Sequence, residues 1–219
     1  MEMNEIDSTF ELLEKEFVGL KLPRETFIDN VAVPFSDRTI CSLIETMVTI
    51  CLRRHNLDSN WLEIKSFTGS PNFDIAAFRS FINLVVEKPW KLHSKHLLIK
   101  YKMEDGVVEI ERIWLKNLWE ICSTSGTWPV KVQYKNKVIV NIRPATWYSE
   151  RTDFKPFESL EDFLSAMEET IYQYPDTRVT LALHWKDNLV RSYERHYGIH
   201  LEIPRWNDIA QRYTNDSAE

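Results

Sequence analysis

Ile40, Leu43, Ile44, Met47, Val48 and Cys51 recur at steps of three and four, which is the spacing of one wide helix face. This pattern predicts a core helix over 36–54, capped by Ser36 or Asp37. Arg53, Arg54 and His55 gather at its C-terminal end, where cations offset the helix dipole. An earlier helix carries Phe10, Leu13 and Phe17, with Ser8 and Glu11 at capping-box spacing and Pro23 beyond its end. A loop is expected from Asp58 and Asn60 to Gly69-Ser70-Pro71. A third helix is expected over 74–87, with Ile75, Phe78, Phe81, Ile82 and Val85 on one face, Asp74 as cap and Lys88-Pro89 as stop.

The period then changes to two. Leu97, Ile99, Tyr101 and Met103 alternate with Leu98, Lys100 and Lys102, and Glu104-Asp105-Gly106 reads as a hairpin turn. Val108, Ile110, Arg112 and Trp114 return on the second arm, and 115–122 fits either a strand or a short helix. Val130 to Tyr134 and Val138 to Ile142 form a second hairpin around Lys135-Asn136-Lys137. Helical spacing returns at Leu160, Phe163, Leu164, Met167, Ile171 and Tyr172, with Ser159 as cap. A strand is expected from Arg178 to Trp185, then a helix from Asp187 or Asn188 to Tyr197 with Gly198 after it, and a last helix near 205–213. The order of helices, then strands, then mixed elements predicts an α+β fold with a central antiparallel sheet of two hairpins plus a later strand. The expected organisation is one compact unit over 1–219, with a possible helical lobe over 1–87 and a mixed lobe over 88–219.

Composition narrows the classes. The chain has 219 residues, 43% of them hydrophobic, and only five glycines, which disfavours Gly-rich phosphate cradles. Met1-Glu2-Met3-Asn4-Glu5 places acids where a secretory signal has a basic region, and no apolar run nears a membrane span. Cys41, Cys51 and Cys122 have no CxxC spacing and read as reduced, buried groups in a cytoplasmic protein. The net charge is −6 but uneven: residues 88–150 carry +5, while 1–34 and 151–219 each carry −5. The acidic total points away from nucleic acid and toward a basic protein partner.

No chemistry-bearing motif stands out. His93 and His96 have a spacing compatible with metal ligation, yet two ligands without a third make a weak site. His196 and His200 straddle Gly198 near Glu194 and Glu202, which allows an acid/base pair but reads more naturally as a helix C-terminus with cationic side chains. Cys122-Ser123-Thr124-Ser125-Gly126 offers nucleophilic atoms but reads more naturally as a turn. Glu168 and Glu169 are adjacent and point differently, whereas Glu158, Glu161, Asp162 and Glu168 read as a solvated acidic face. Lys88, Lys91, Lys95, Lys100 and Lys102, with Tyr101 and Trp114 nearby, offer a nucleic-acid platform, but the period argues otherwise: Lys100 and Lys102 lie on the outward face of a strand and read as guards of a sheet edge. Trp147 and Trp206 are expected in the core. No catalytic, metal or cofactor-binding residue is therefore assigned, and no cofactor is expected.

The run Phe157-Glu158-Ser159-Leu160-Glu161-Asp162-Phe163-Leu164-Ser165-Ala166-Met167-Glu168-Glu169-Thr170, followed by Trp185, Ser192-Tyr193 and Gly198, resembles the immunity proteins of bacterial polymorphic-toxin and contact-dependent inhibition systems over 157–203. The resemblance implies a non-enzymatic cytosolic protein that binds and neutralises one toxin domain, with a basic nuclease as a fitting partner. Two alternatives remain open: an enzyme of another family using His184, His196 or His200 with acids, and a structural or regulatory homo-oligomeric subunit.

Overall fold

The computed structural model describes residues 3–26, 36–57, 60–149, 154–174 and 184–213. The helices are α1 (Met3–Phe17), α2 (Asp37–Arg54), α3 (Phe78–Glu87), α4 (Leu160–Gln173), α5 (Trp185–Tyr197) and α6 (Trp206–Ile209). The strands are β1 (Lys21–Pro23), β2 (Leu62–Phe67), β3 (Ala76–Ala77), β4 (Lys95–Glu104), β5 (Val107–Asn117), β6 (Val132–Lys135) and β7 (Val138–Ile142). The class is α+β, as expected from the sequence. Among the described residues no helix is long and apolar enough to cross a membrane.

The chain divides into two compact units, one built from 1–71 and 95–116, the other from 72–94 and 117–219. The first holds a four-stranded sheet in the order β1-β5-β4-β2. β4 and β5 form the predicted hairpin, with Asp105 and Gly106 at positive φ of 50° and 77° in its turn. β2 pairs parallel to β4, Leu62 opposite Lys95 through Phe67 opposite Lys100. A parallel pair needs a crossover, which the chain between Phe67 and Lys95 provides. Ile40, Ile44, Val48 and Leu52 of α2 are fully buried with Leu97, Ile99, Val108 and Ile110 of the sheet. Each such side chain contributes about 1.5–3 kcal/mol of burial free energy, which fixes α2 against the sheet.

The second unit carries a sheet in the order β3-β7-β6. Its core includes Phe78, Ile82, Val85, Phe163, Leu164, Met167 and Leu189, and the Trp185 indole N–H donates to the Ile82 carbonyl at 3.0 Å. Ser159 caps α4 by accepting from the Asp162 N–H, and Gly198 ends α5 at φ 68°.

Several expectations are revised. The two hairpins belong to different sheets, because each pairs with a strand that sequence periodicity does not reveal: β2 and β1 for one, β3 for the other. Residues 62–67, read as loop, are β2. Ser8 lies inside α1, its hydroxyl donating to the Glu5 carbonyl, so it is not a cap. Asp74 pairs with Arg143 and α3 starts later, after Ala77. Residues 115–122 complete β5 and add a single turn over 119–121. The expected strand from Arg178 to Trp185 lies outside the described residues apart from His184 and Trp185, and Trp185 opens α5.

Candidate active site

None of the expected histidine chemistry assembles. His93 Nε2 lies 2.8 Å from the Tyr193 hydroxyl, within the second unit. His96 is buried on β4 of the first unit. His55 and His184 are exposed at helix ends. His196 packs its ring on Trp90 and Tyr197, and His200 sits 3.9 Å from Glu194 at the surface. Among the described residues no three His, Cys, Asp or Glu groups cluster as a metal site.

The other candidates also have structural roles. Burial pushes the Cys122 thiol up and keeps it protonated. Thr124 donates to the Tyr213 carbonyl, and Ser123 donates to the Thr124 carbonyl. Asp162, expected on a solvated face, is buried and accepts from the Tyr213 hydroxyl at 2.5 Å and from Arg212 at 3.3 Å. Lys100 and Lys102 are paired with Glu111 and with Glu104 and Glu109. Trp206 stacks on Tyr213 against the core.

The chemistry converges instead at β2, the element that sequence reading missed. β2 is an edge strand, and an open cleft of about 580 Å³ runs between it and α2. Glu45 lines this cleft from α2, Glu63 and Lys65 line it from β2, and Arg53 adds a second cation. Glu63 and Lys65 are two residues apart on a strand, so both side chains leave the same face. In the parallel register Glu63 lies beside His96 and Lys65 beside Leu98.

Glu45 reaches the strand from one side. The Ser66 N–H donates to its Oε1 at 3.3 Å, and the Ser66 hydroxyl lies 3.4 Å from the same oxygen. The Cys41 thiol donates to the Ser66 carbonyl at 3.2 Å, one helical turn before Glu45. These contacts lock the helix to the strand and hold the Glu45 carboxyl in one orientation. Burial raises its pKa above the usual carboxylate value, while the Lys65 charge and the two Ser66 bonds pull it part of the way back.

Two carboxylates and an ammonium on one cleft are a hard-oxygen donor set with a cation beside it. Glu45 and Glu63 suit Mg²⁺ or Mn²⁺, ions that take few protein carboxylates and complete their shell with water and phosphate oxygens. The half-buried Glu45 carboxylate is costly to ionise alone, and a bound divalent ion offsets that cost. One sequence signal for this site was available: Glu63-Ile64-Lys65 in a six-residue alternating stretch just after an amphipathic helix.

Comparison with known proteins points to a nuclease family. The family model described as NgoBV restriction endonuclease matches residues 42–213, a span that begins on α2 and includes Glu45, Glu63 and Lys65. The Type II restriction enzyme NlaIV of Neisseria lactamica is 40% identical over 166 residues, covering 74% of this chain and 68% of that enzyme. A solved structure of NlaIV restriction endonuclease is 31% identical, with a TM-score of 0.85 over 96% of both chains. These findings overturn the resemblance to immunity proteins and the reading of a non-enzymatic toxin-binding protein. The stretch that suggested it is the core-facing side of α4, whose apolar spacing any packed helix shares. The expectation of no nucleic-acid partner falls with it: it rested on the acidic total and on reading the lysines of 88–102 as guards of a sheet edge. The enzyme alternative is the nearer one, although carboxylates and a lysine, not histidines, line the cleft.

Proposed function

This chain belongs to the NgoBV restriction endonuclease family, and on that basis we propose that it is a type II restriction endonuclease that hydrolyses DNA phosphodiester bonds in the α2–β2 cleft. One observation carries the assignment of the site: Glu45, Glu63 and Lys65 line one open cleft at the edge strand, where the Lys65 charge acts on the Glu45 carboxyl.

The reaction adds water across a P–O bond: a water oxygen bonds to phosphorus, the opposite ester oxygen leaves, and a proton ends on that leaving oxygen. Three needs follow: a positioned water, cover for the charge on the phosphoryl oxygens, and a fixed frame. Glu45 and Glu63 would hold a divalent cation, which when bound supplies Lewis acidity toward a phosphate oxygen and a lowered water pKa. Lys65 places a point charge where negative charge builds on the phosphoryl group. Ser66 fixes the Glu45 carboxyl so that little reorganisation is needed. Arg53 lengthens the cationic side of the cleft for the neighbouring backbone. An enzyme of this activity meets its substrate in the cytoplasm.

The test is digestion of unmodified phage DNA by the purified protein with magnesium. Discrete fragments are expected from the wild type and none from Glu63→Gln. Absence of fragments with both magnesium and manganese, or undiminished cutting by Glu63→Gln, overturns the reading.

A further inference from the structure

Between Glu120 and Glu150 the chain holds no Asp or Glu, yet it contains Lys131, Lys135, Lys137 and Arg143. In a protein with 33 acidic residues this is a long acid-free stretch, and the β6–β7 hairpin lies within it. Lys135 ends β6, and Lys137 lies with Asn136 in the turn, at positive φ of 63° and 52°. Both lysines form no ion pair among the described residues.

The ribbon has an irregularity with a directional effect. Gln133 pairs with Asn141, but the next residue, Tyr134, pairs with Ile139, so Val140 is an extra residue on β7. Such a bulge re-aims side chains. Here Ile139 and Ile142 are both buried, and between them Val140 is exposed and Asn141 half-buried. The extra residue thus turns two consecutive side chains away from the core. Asn141 Nδ2 donates to Gln133 Oε1 at 3.3 Å, which orients the two amides together. Further donor and acceptor capacity on both amides stays unused by that bond.

We propose that the β6–β7 hairpin is a DNA-reading element: it enters the major groove as a two-stranded ribbon, Gln133 and Asn141 contact base edges, and Lys135 and Lys137 bind flanking phosphates. The major groove admits such a ribbon, and amide side chains keep donors and acceptors that base edges there can meet. Tip lysines without acidic neighbours fit the phosphate backbone. This inference rests on the endonuclease reading for its substrate, and its test is independent of cleavage.

The experiment uses the full chain, with calcium in place of magnesium, and a fluorescent random-sequence duplex about 30 base pairs long, roughly three helical turns. Lys135→Gln/Lys137→Gln is expected to weaken binding about tenfold and to lower the log–log salt slope by roughly one to two. Bound sequences are then selected from the random pool. Gln133→Ala and Asn141→Ala are expected to lose roughly 5- to 150-fold of discrimination at one base-pair position. Thermal unfolding of each variant checks that the fold is kept. Unchanged affinity and slope in the lysine variant overturn the proposal; unchanged sequence preference in both amide variants overturns its base-reading part. A wild type that binds through the hairpin without cutting refutes the endonuclease reading alone.

Discussion

Glu45 shows how one side chain sets function against stability. Burial raises its pKa in the folded protein, so the folded state holds that proton more tightly than the unfolded chain. Stability from this group is therefore greatest below the ordinary carboxylate range and declines as pH rises through the raised value. At neutral pH the ionised carboxylate is a cost to the fold. Glu45→Gln removes the charge and keeps an oxygen for the Ser66 N–H. We expect unfolding temperature at pH 7 to hold or rise, while cleavage falls by about 100-fold or more. A fall in both would show that the carboxylate is structural. Lys65 presents the opposite sign, since its charge lowers the Glu45 pKa. Lys65→Met should reduce turnover by about 100- to 1000-fold and move the acid limb of the remaining activity to higher pH. A steady-state pH profile measures both effects, and an unmoved acid limb would separate Lys65 from Glu45.

At the scale of elements, legibility followed periodicity. α2, α4 and α5 were readable because each has an unbroken apolar stripe with a cap or a terminal glycine. β2 was not. Its six residues place Ser66 at a buried position, where alternation calls for an apolar side chain, and turn-forming residues flank it on both sides. The polar break is the functional feature, because Ser66 is what Glu45 and Cys41 grip. The acidic character of α4 misled in a related way: Asp162 at its N-terminal turn is a buried acceptor for a distant residue. Spacing within a helix cannot report a partner 51 positions away. Tyr213 also accepts from the Glu158 N–H, so its hydroxyl ties the C-terminal segment to the start of α4. Tyr213→Phe leaves the buried Asp162 carboxylate with the Arg212 guanidinium at 3.3 Å as its remaining partner among the described residues. The expected cost is about 1.5–3 kcal/mol, a drop in unfolding temperature of roughly 3–10 °C for a chain of this size. A shift under about 1 °C would mean the hydroxyl contributes nothing net.

For the whole molecule, a net charge of −6 and binding to a polyanion are compatible because screening makes electrostatics local. Beyond about 8–10 Å charges are largely hidden at physiological salt. A phosphate that meets Lys65, Arg53 or the β6–β7 tip therefore responds to the charges nearest it rather than to the total over the chain. In the sequence the basic stretch over 88–150 is weighed against the acidic total and its lysines read as guards of a sheet edge, and so the sequence points to a basic protein partner instead of DNA. The units interleave along the chain, with residues 95–116 rejoining residues 1–71; a linear reading has no signal for that return, since it is specified by the β2–β4 pairing. The two descriptions of charge predict different salt responses. If total charge governed binding, added salt would screen repulsion and strengthen association with DNA. If local cations govern it, each neutralised phosphate releases counterions, and affinity falls with salt at a log–log slope of about −0.9 per contact. We expect a slope steeper than about −3 for the wild type in calcium, measured by titration of a labelled duplex across a salt series. Chelating the divalent ion should abolish cutting at every salt concentration, yet leave this phosphate-driven slope largely in place. The lysines and arginines that generate it are protein groups, distinct from the carboxylates that bind the ion. A flat or positive slope would return the molecule to the class of acidic proteins that avoid DNA.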